Sequence, residues 1–307
     1  MRRERGFALI AALWLLVALS ALALEVSLVA RERRLAAANT LEGTQARAAA
    51  DAGLEHARAR LTGMLERGAL DPWRGVDSVL AGDVALGGGG ARYRVTLRDA
   101  GRALNLNRAT ESELRRLFVA LRVDAGEADR LAQVIMDWRD PDDLRRARGA
   151  EREDYVRDGA PVLPRNGPLQ SLDELRYARG MTPEILALAR PYLTLLGTGQ
   201  VNLNAAPRPV LLALPGIGEE TAGVLLRHQE SRHPFHSLAD LGLELSSGAR
   251  GALEAATSAL IARATFETRE VEAVSDGWVE GSPVQVHAHG LLVRARDVAF
   301  LVWRRTE

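Results

Sequence analysis

The spacing of apolar and polar residues changes period three times along this chain. From Phe7 to Leu24 there is no charged residue and Ser20 is the only polar one. At about 1.5 Å per residue this run gives roughly 27 Å of helix, close to the thickness of a bilayer's hydrocarbon core. Helical spacing then continues to about Arg67. Leu54, Ala57, Leu61, Met64 and Leu65 recur on one helical face. Together the two stretches predict one helix of about sixty residues, roughly 90 Å long. The competing reading is a membrane helix, a kink at Gly43 and a separate amphipathic helix.

A period of two takes over from Arg92 to Arg98, with Tyr93, Val95 and Leu97 on one face, which predicts a strand. Arg102 to Leu106 reads as a second. The period then returns to helical. Thr110 and Glu113 form a capping-box pattern that opens a helix to about Leu121. Further helices are expected at Glu127–Trp138, Ser171–Ala178, from Thr182 with Pro183 at its first position, and at Pro207–Leu214, Glu219–Gln229 and Gly248–Arg263. Gly149 to Gly167 reads as loop. From Thr265 alternation resumes through Val284, Val286 and Ala288, then Leu291 and Val293, then Val298, Phe300 and Val302, which predicts two or three antiparallel strands. Within the helical block, Leu104 to Ala109 is echoed by Val201 to Ala206, and Leu169 to Leu175 by Phe235 to Leu241.

The N-terminus admits three readings. A basic start, an apolar run and Ala21-Leu22-Ala23 suit a cleaved secretory signal. Arg2, Arg3 and Arg5 suit a single-span anchor with its N-terminus in the cytoplasm, although Arg31, Arg33 and Arg34 weaken that bias. Arg5-Gly6 followed at once by Phe7-Ala8-Leu9-Ile10 resembles the type IV pilin class of signal, cut after the Gly with the helix left intact. Neither Gly nor Pro interrupts Phe7 to Thr40.

Composition narrows the chemistry. Lys+Arg and Asp+Glu are 40 each, so the net charge is zero, which argues against a dedicated nucleic-acid binder. There is no cysteine, which excludes disulfides, thiolate catalysis and Cys-type zinc sites. Gly87 to Gly90 lacks the Gly-Lys-Ser/Thr ending of a phosphate loop and reads as a turn. His287 and His289 share a strand face without an evident third ligand, and no residue stands out as catalytic.

The densest acidic cluster is Asp137, Asp140, Asp142 and Asp143 with Glu151, Glu153 and Asp154. Asp137 and Asp140 fall at a helix C-terminus, where the helix dipole disfavours carboxylates, so something must neutralise them. Arg139, Arg145, Arg146, Arg148 and Arg152 are one candidate. A hard divalent cation such as Ca²⁺ is the other, in a site without EF-hand spacing. Elsewhere, Leu214-Pro215-Gly216-Ile217-Gly218 before Glu219 resembles the helix-hairpin-helix motif of DNA-binding proteins. Glu219 and Glu220 occupy the place a phosphate would take, so a purely structural hairpin competes with that reading.

Four segments in order resemble the general secretion pathway protein K family, the large minor pseudopilin of the type II secretion system. They are Arg5-Gly6-Phe7-Ala8-Leu9-Ile10; Asp137-Trp138-Arg139-Asp140-Pro141-Asp142-Asp143 with Gly149-Ala150-Glu151 and Asp154-Tyr155; Gln170 to Leu175 with Gly180 to Glu184; and Val201 to Pro207. The resemblance implies an α+β, pilin-like fold: a long N-terminal helix packed on an antiparallel sheet, with a large all-α insertion containing two helix-hairpin-helix/SAM-like repeats. The corresponding segments are a leader at 1–6, a transmembrane and assembly helix at 7–30, the pseudopilin helix and first strands at 31–106, the all-α insertion at 107–264 and the last strands at 265–307. It implies removal of the leader between Gly6 and Phe7 by a prepilin peptidase, with N-methylation of Phe7. It implies single-pass residence in the bacterial inner membrane with the body in the periplasm. Ala11 stands where most pilin-like proteins carry Glu, which implies a subunit at the tip of the pseudopilus, associated with minor pseudopilins I and J. It further implies calcium at Asp137, Asp140, Asp142, Asp143, Glu151 and Asp154. The alternative is a membrane-tethered DNA-binding protein of competence type, using the Gly216–Gly218 hairpin.

Overall fold

A computed structural model describes residues 2–65, 71–78, 82–87 and 90–307, with side chains from residue 13 onward. The expected long helix is continuous: α1 spans Arg2–Leu65, 64 residues without a break at Gly43. Its two halves have different surroundings. From Leu13 to Leu41 its large apolar side chains are exposed. From Ala46 onward a stripe of small residues and leucines, Ala46, Ala49, Ala50, Leu54, Ala57 and Leu61, is buried against a sheet.

That sheet has five antiparallel strands: β1 (Asp83–Leu86), β2 (Ala91–Asp99), then β7 (Glu270–Val279), β8 (Gln285–Ala295) and β9 (Val298–Thr306), in that spatial order. The alternation expected in β2 is present, with Tyr93, Val95 and Leu97 turned to α1 and buried. Strand β7 pairs directly with β2, Asp99 opposite Val271 and Ala91 opposite Val279. Its own alternation is Val271, Ala273, Ser275 and Gly277 inward, a pattern too small and polar to stand out as apolar periodicity. Strand β1, with only Val84 half-buried, gave no periodic signal either.

Between β2 and β7 the chain leaves the sheet to form a helical block with a separate hydrophobic core. Its helices are α2 (Glu111–Ala120), α3 (Ala125–Arg139), α4 (Arg152–Arg157), α5 (Pro183–Ala189), α6 (Arg208–Ala213), α7 (Glu219–Ser231), α8 (Leu238–Leu243), α9 (Ser247–Ala255) and α10 (Thr257–Arg263). The stretch read as loop, 149–167, contains α4, and the expected helix at 248–263 is two helices meeting at Ala256. Residues 102–106 do not join the large sheet. Instead β3 (Leu104–Asn105) pairs in parallel with β4 (Leu193–Thr194), and β5 (Val201–Asn202) pairs in parallel with β6 (Ala264–Thr265).

The echoed segments occupy equivalent places. Leu106 N–H donates to Thr194 C=O at 2.8 Å, and Leu203 N–H to Thr265 C=O at 2.9 Å. Asn107 exchanges two hydrogen bonds with the backbone of Leu169, both 2.9 Å. Asn204 does the same with Phe235, at 2.8 and 3.0 Å. Each asparagine thus satisfies buried main-chain groups that no helix or sheet supplies. The block is tied to the sheet by Asp99, whose carboxylate accepts from Gly101 N–H at 2.8 Å, Asn202 Nδ2 at 2.6 Å and Thr268 Oγ1 at 2.8 Å.

Candidate functional site

The acidic cluster is built by the end of α3 and the start of α4. Helix α3 begins at Asp124, whose side chain accepts from Gly126 and Glu127 N–H. Its last turn carries Asp137, Trp138 and Arg139. Trp138 is buried and meets Tyr155 of α4 edge to face, ring centroids 5.3 Å apart. This contact brings the C-terminus of α3 beside the N-terminus of α4, folding the loop 140–150 back on itself.

The six expected ligands separate into two groups. Asp137 is fully buried and bound by Arg146, which donates its main-chain N–H at 3.2 Å and its guanidinium at 2.5 Å. A Cβ on Gly149 would lie 1.8 Å from Asp137 Oδ2, so the Gly of the Gly149-Ala150-Glu151 motif is there to seat that carboxylate. Asp154 accepts from Glu151 N–H at 3.1 Å and is ringed by Arg145, Arg157 and Arg179. Its hydrogen bond from the Glu151 N–H and these guanidinium groups hold its carboxyl below the ordinary range despite its burial. Asp137 and Asp154 are thus both engaged by arginine.

Asp140, Asp142 and Glu151 form the second group, with one carboxylate oxygen from each within 4.8 Å of the others. Glu151 is 4% exposed, and its carboxylate faces only main-chain N–H groups at the start of α4 without a well-formed hydrogen bond; Asp140 Oδ1 is buried and unpartnered. Burial pushes the Glu151 carboxyl up to about 7, reinforced by the charges of Asp137, Asp140 and Asp143. Asp143 lies at the rim, where Asn166 donates to it at 2.8 Å, and faces an open cleft of about 520 Å³. Three converging carboxylates, one of them buried without an arginine partner, are a donor set suited to a hard cation. Of the nearby arginines, Arg146 also reaches Asp140 Oδ2. Arg139 turns away, donating to the carbonyls of Leu106 and Ala109.

The hairpin at Gly216 points the other way. Gly216 has φ +73°, and a Cβ there would lie 2.6 Å from Ala256 Cβ; Ile217 is buried. The carboxylates at the start of α7 are occupied, Glu219 by Arg208 and Glu220 by the backbone and hydroxyl of Ser246. The hairpin is packed into the block, and a phosphate would meet two engaged carboxylates at this helix start.

At the N-terminus, Gly6, Phe7 and Ala11 lie on α1, but their side chains are outside the described residues. The described part of α1 is long and apolar enough to cross a membrane.

Comparison with known proteins places these features together. The family described as type II secretion system (T2SS), protein K matches residues 96–198, from the end of β2 through the acidic loop to the first echo. Type II secretion system protein K of Klebsiella pneumoniae is 31% identical over 235 residues, covering 69% of this chain and 70% of that one. This chain belongs to the type II secretion system protein K family. A provisionally described protein K of Escherichia coli (strain K12) is 33% identical over 88 residues, 29% of this chain and 27% of that one. The fold is that of the K subunit in the crystal structure of the GspK–GspI–GspJ complex from the enterotoxigenic Escherichia coli type 2 secretion system, with TM-score 0.67, 19% identity, and coverage of 88% of this chain and 99% of that chain. As a K-family protein it is a minor pseudopilin for protein transport, and the competence-type alternative is not supported.

Proposed function

We propose that this K-family chain is the tip-capping, non-enzymatic subunit of a pseudopilus, anchored in the bacterial inner membrane with its body in the periplasm. The observation that carries this reading is the division of α1. From Ala46 onward it is buried against the body, while from Leu13 to Leu41 its large apolar side chains are exposed. Such a face demands lipid before assembly and the helices of neighbouring subunits after it. The I and J subunits named beside the K subunit in the similar complex are the proposed neighbours. A prepilin peptidase is proposed to cut between Gly6 and Phe7, leaving Phe7 N-methylated. Ala11 offers no carboxylate to an N-terminal amine above it, as befits a terminal position.

A calcium ion is proposed at the acidic loop. Asp140, Asp142 and Glu151 would hold it, with Asp143 at the rim; it would supply the positive charge that Glu151 lacks and tie α3 to α4. Asp137 and Asp154 would brace the loop through their arginines.

The test is the N-terminal mass of the chain purified from membranes. A mature protein beginning at methylated Phe7 supports the proposal. A start after Ala23, or an intact Met1, overturns it.

A further inference from the structure

The two edges of the sheet differ. Strand β1 closes one side with four residues, whereas nothing among the described residues pairs with the outer edge of β9, nine residues long. A long free edge pairs readily with other chains unless it is covered. The mutual hydrogen bonds of His287 and Glu307, 3.0 and 2.8 Å, set the alternation along β9. Main-chain groups of Trp303 and Arg305 face β8, so those of Arg304 and Thr306 face outward. Past the register shift at Leu291/Leu292, Leu301 and Ala299 face outward again. Ala299 N–H is already taken by Thr62 Oγ1 of α1 at 3.1 Å, so the open edge runs from Leu301 to Thr306.

Its side chains are unusual for a solvated strand. Phe300 is 51% exposed, Val302 57% and Trp303 38%. Trp303 lies opposite Leu291 and Phe300 opposite Val293, on the sheet face away from α1. The end of the strand is cationic, with Arg304 toward α1 and Arg305 on the outer face. Their ion pairs, with Asp51 and Glu307, lie at the surface, where exchange for another carboxylate is inexpensive.

We propose that β9 is a docking strand. It accepts, as a sixth strand, an extended segment of another protein that sets β-branched or aromatic side chains beside Phe300, Val302 and Trp303 and a carboxylate beside Arg304 or Arg305. Main-chain hydrogen bonds supply the affinity, and the cross-strand pairs set the register.

The test uses the full chain in detergent micelles with a ten-residue peptide of alternating Val and Glu, and the same peptide with Lys for Glu. The Glu peptide should slow amide exchange within 301–306 and bind at least tenfold more tightly than the Lys peptide. Trp303→Ser, checked for an unchanged melting temperature, should weaken that binding by about tenfold, and high salt should weaken it further. Equal binding of both peptides, or no protection in 301–306, overturns the proposal. So does self-association through β9 that Trp303→Ser abolishes while the peptide has no effect.

Discussion

Gly53 of α1 lies directly over Ser275 of β7: a Cβ at position 53 would approach Ser275 Oγ to 2.0 Å, and Val95 and Tyr93 to about 3 Å. The sheet answers with Gly277, where a Cβ would lie 2.2 Å from Ala46 C=O. Two glycines, one on each surface, set how closely the helix rests on the sheet. Gly53 costs the helix about 1 kcal/mol relative to Ala in propensity. Overpacking a buried contact typically costs 1–3 kcal/mol, so the contact wins. Gly53→Ala should lower stability by up to about 2 kcal/mol in denaturant unfolding. Ser275→Ala combined with it should recover part of that loss, measured as coupling in a double-mutant cycle.

Calcium should raise the melting temperature of the chain, and chelation should remove the increase. Calcium at a hundred times its dissociation constant stabilises by about 2.7 kcal/mol, roughly 5–10 °C for a domain of this size. Glu151→Gln separates the proposed ligand role from a packing role. It removes a buried charge raised by its neighbours, so the calcium-free variant should melt no lower than the parent, yet it should lose the calcium response. A full response in this variant would rule out Glu151 as a ligand.

Asp99 makes the junction sensitive to pH. Burial raises its carboxyl from an ordinary value near 3.8 to about 6 in the folded chain. The folded state therefore binds more protons than the unfolded state between these values. The stabilisation is fully present below about 3.8 and is lost as pH rises through about 6. On the order of 2–3 kcal/mol is at stake for a shift of this size. With calcium held saturating, unfolding free energy should fall as pH rises from about 4 to about 6, and Asp99→Asn should flatten that slope. An unchanged slope would mean that another group titrates.

Removal of either asparagine clamp should be expensive. Asn107→Ala leaves the N–H and C=O of Leu169 without partners; Asn204→Ala does the same to Phe235 and also strips the Phe266 C=O of its donor. Each unsatisfied buried group costs about 1–3 kcal/mol, so each variant should lose at least about 2 kcal/mol, Asn204→Ala the more. Hydrogen exchange should localise the effect, with Leu169 N–H losing protection in the first variant and Phe235 N–H in the second.

Much of this molecule is written in local rules. The long helix follows from unbroken 3.6-residue periodicity, β2 from strict alternation, and the starts of α2 and α5 from Thr110 with Glu113 and from Thr182 with Pro183. Each depends on residues within a turn or two, and the structure agrees within about two residues at most ends. The echoes at Leu104/Val201 and Leu169/Phe235 were likewise visible, because equivalent hydrogen-bonding positions demand equivalent side chains. Strand β7 was not, since its inward face is Val, Ala, Ser and Gly, chosen for close approach to α1 rather than for hydrophobicity. Nor could spacing divide the acidic cluster. Asp137 and Asp140 share a helix face, yet the fold gives one to Arg146 and Gly149 and leaves an oxygen of the other bare beside Glu151. Periodicity says which face of an element is turned inward; it does not say what waits there. The partners of Asp99, Glu113 and Gly53 are Asn202, Arg263 and Ser275. Chain closure over such distances is set by packing of the whole body, so only the tertiary structure decides which carboxylates are neutralised and which stay open to a cation.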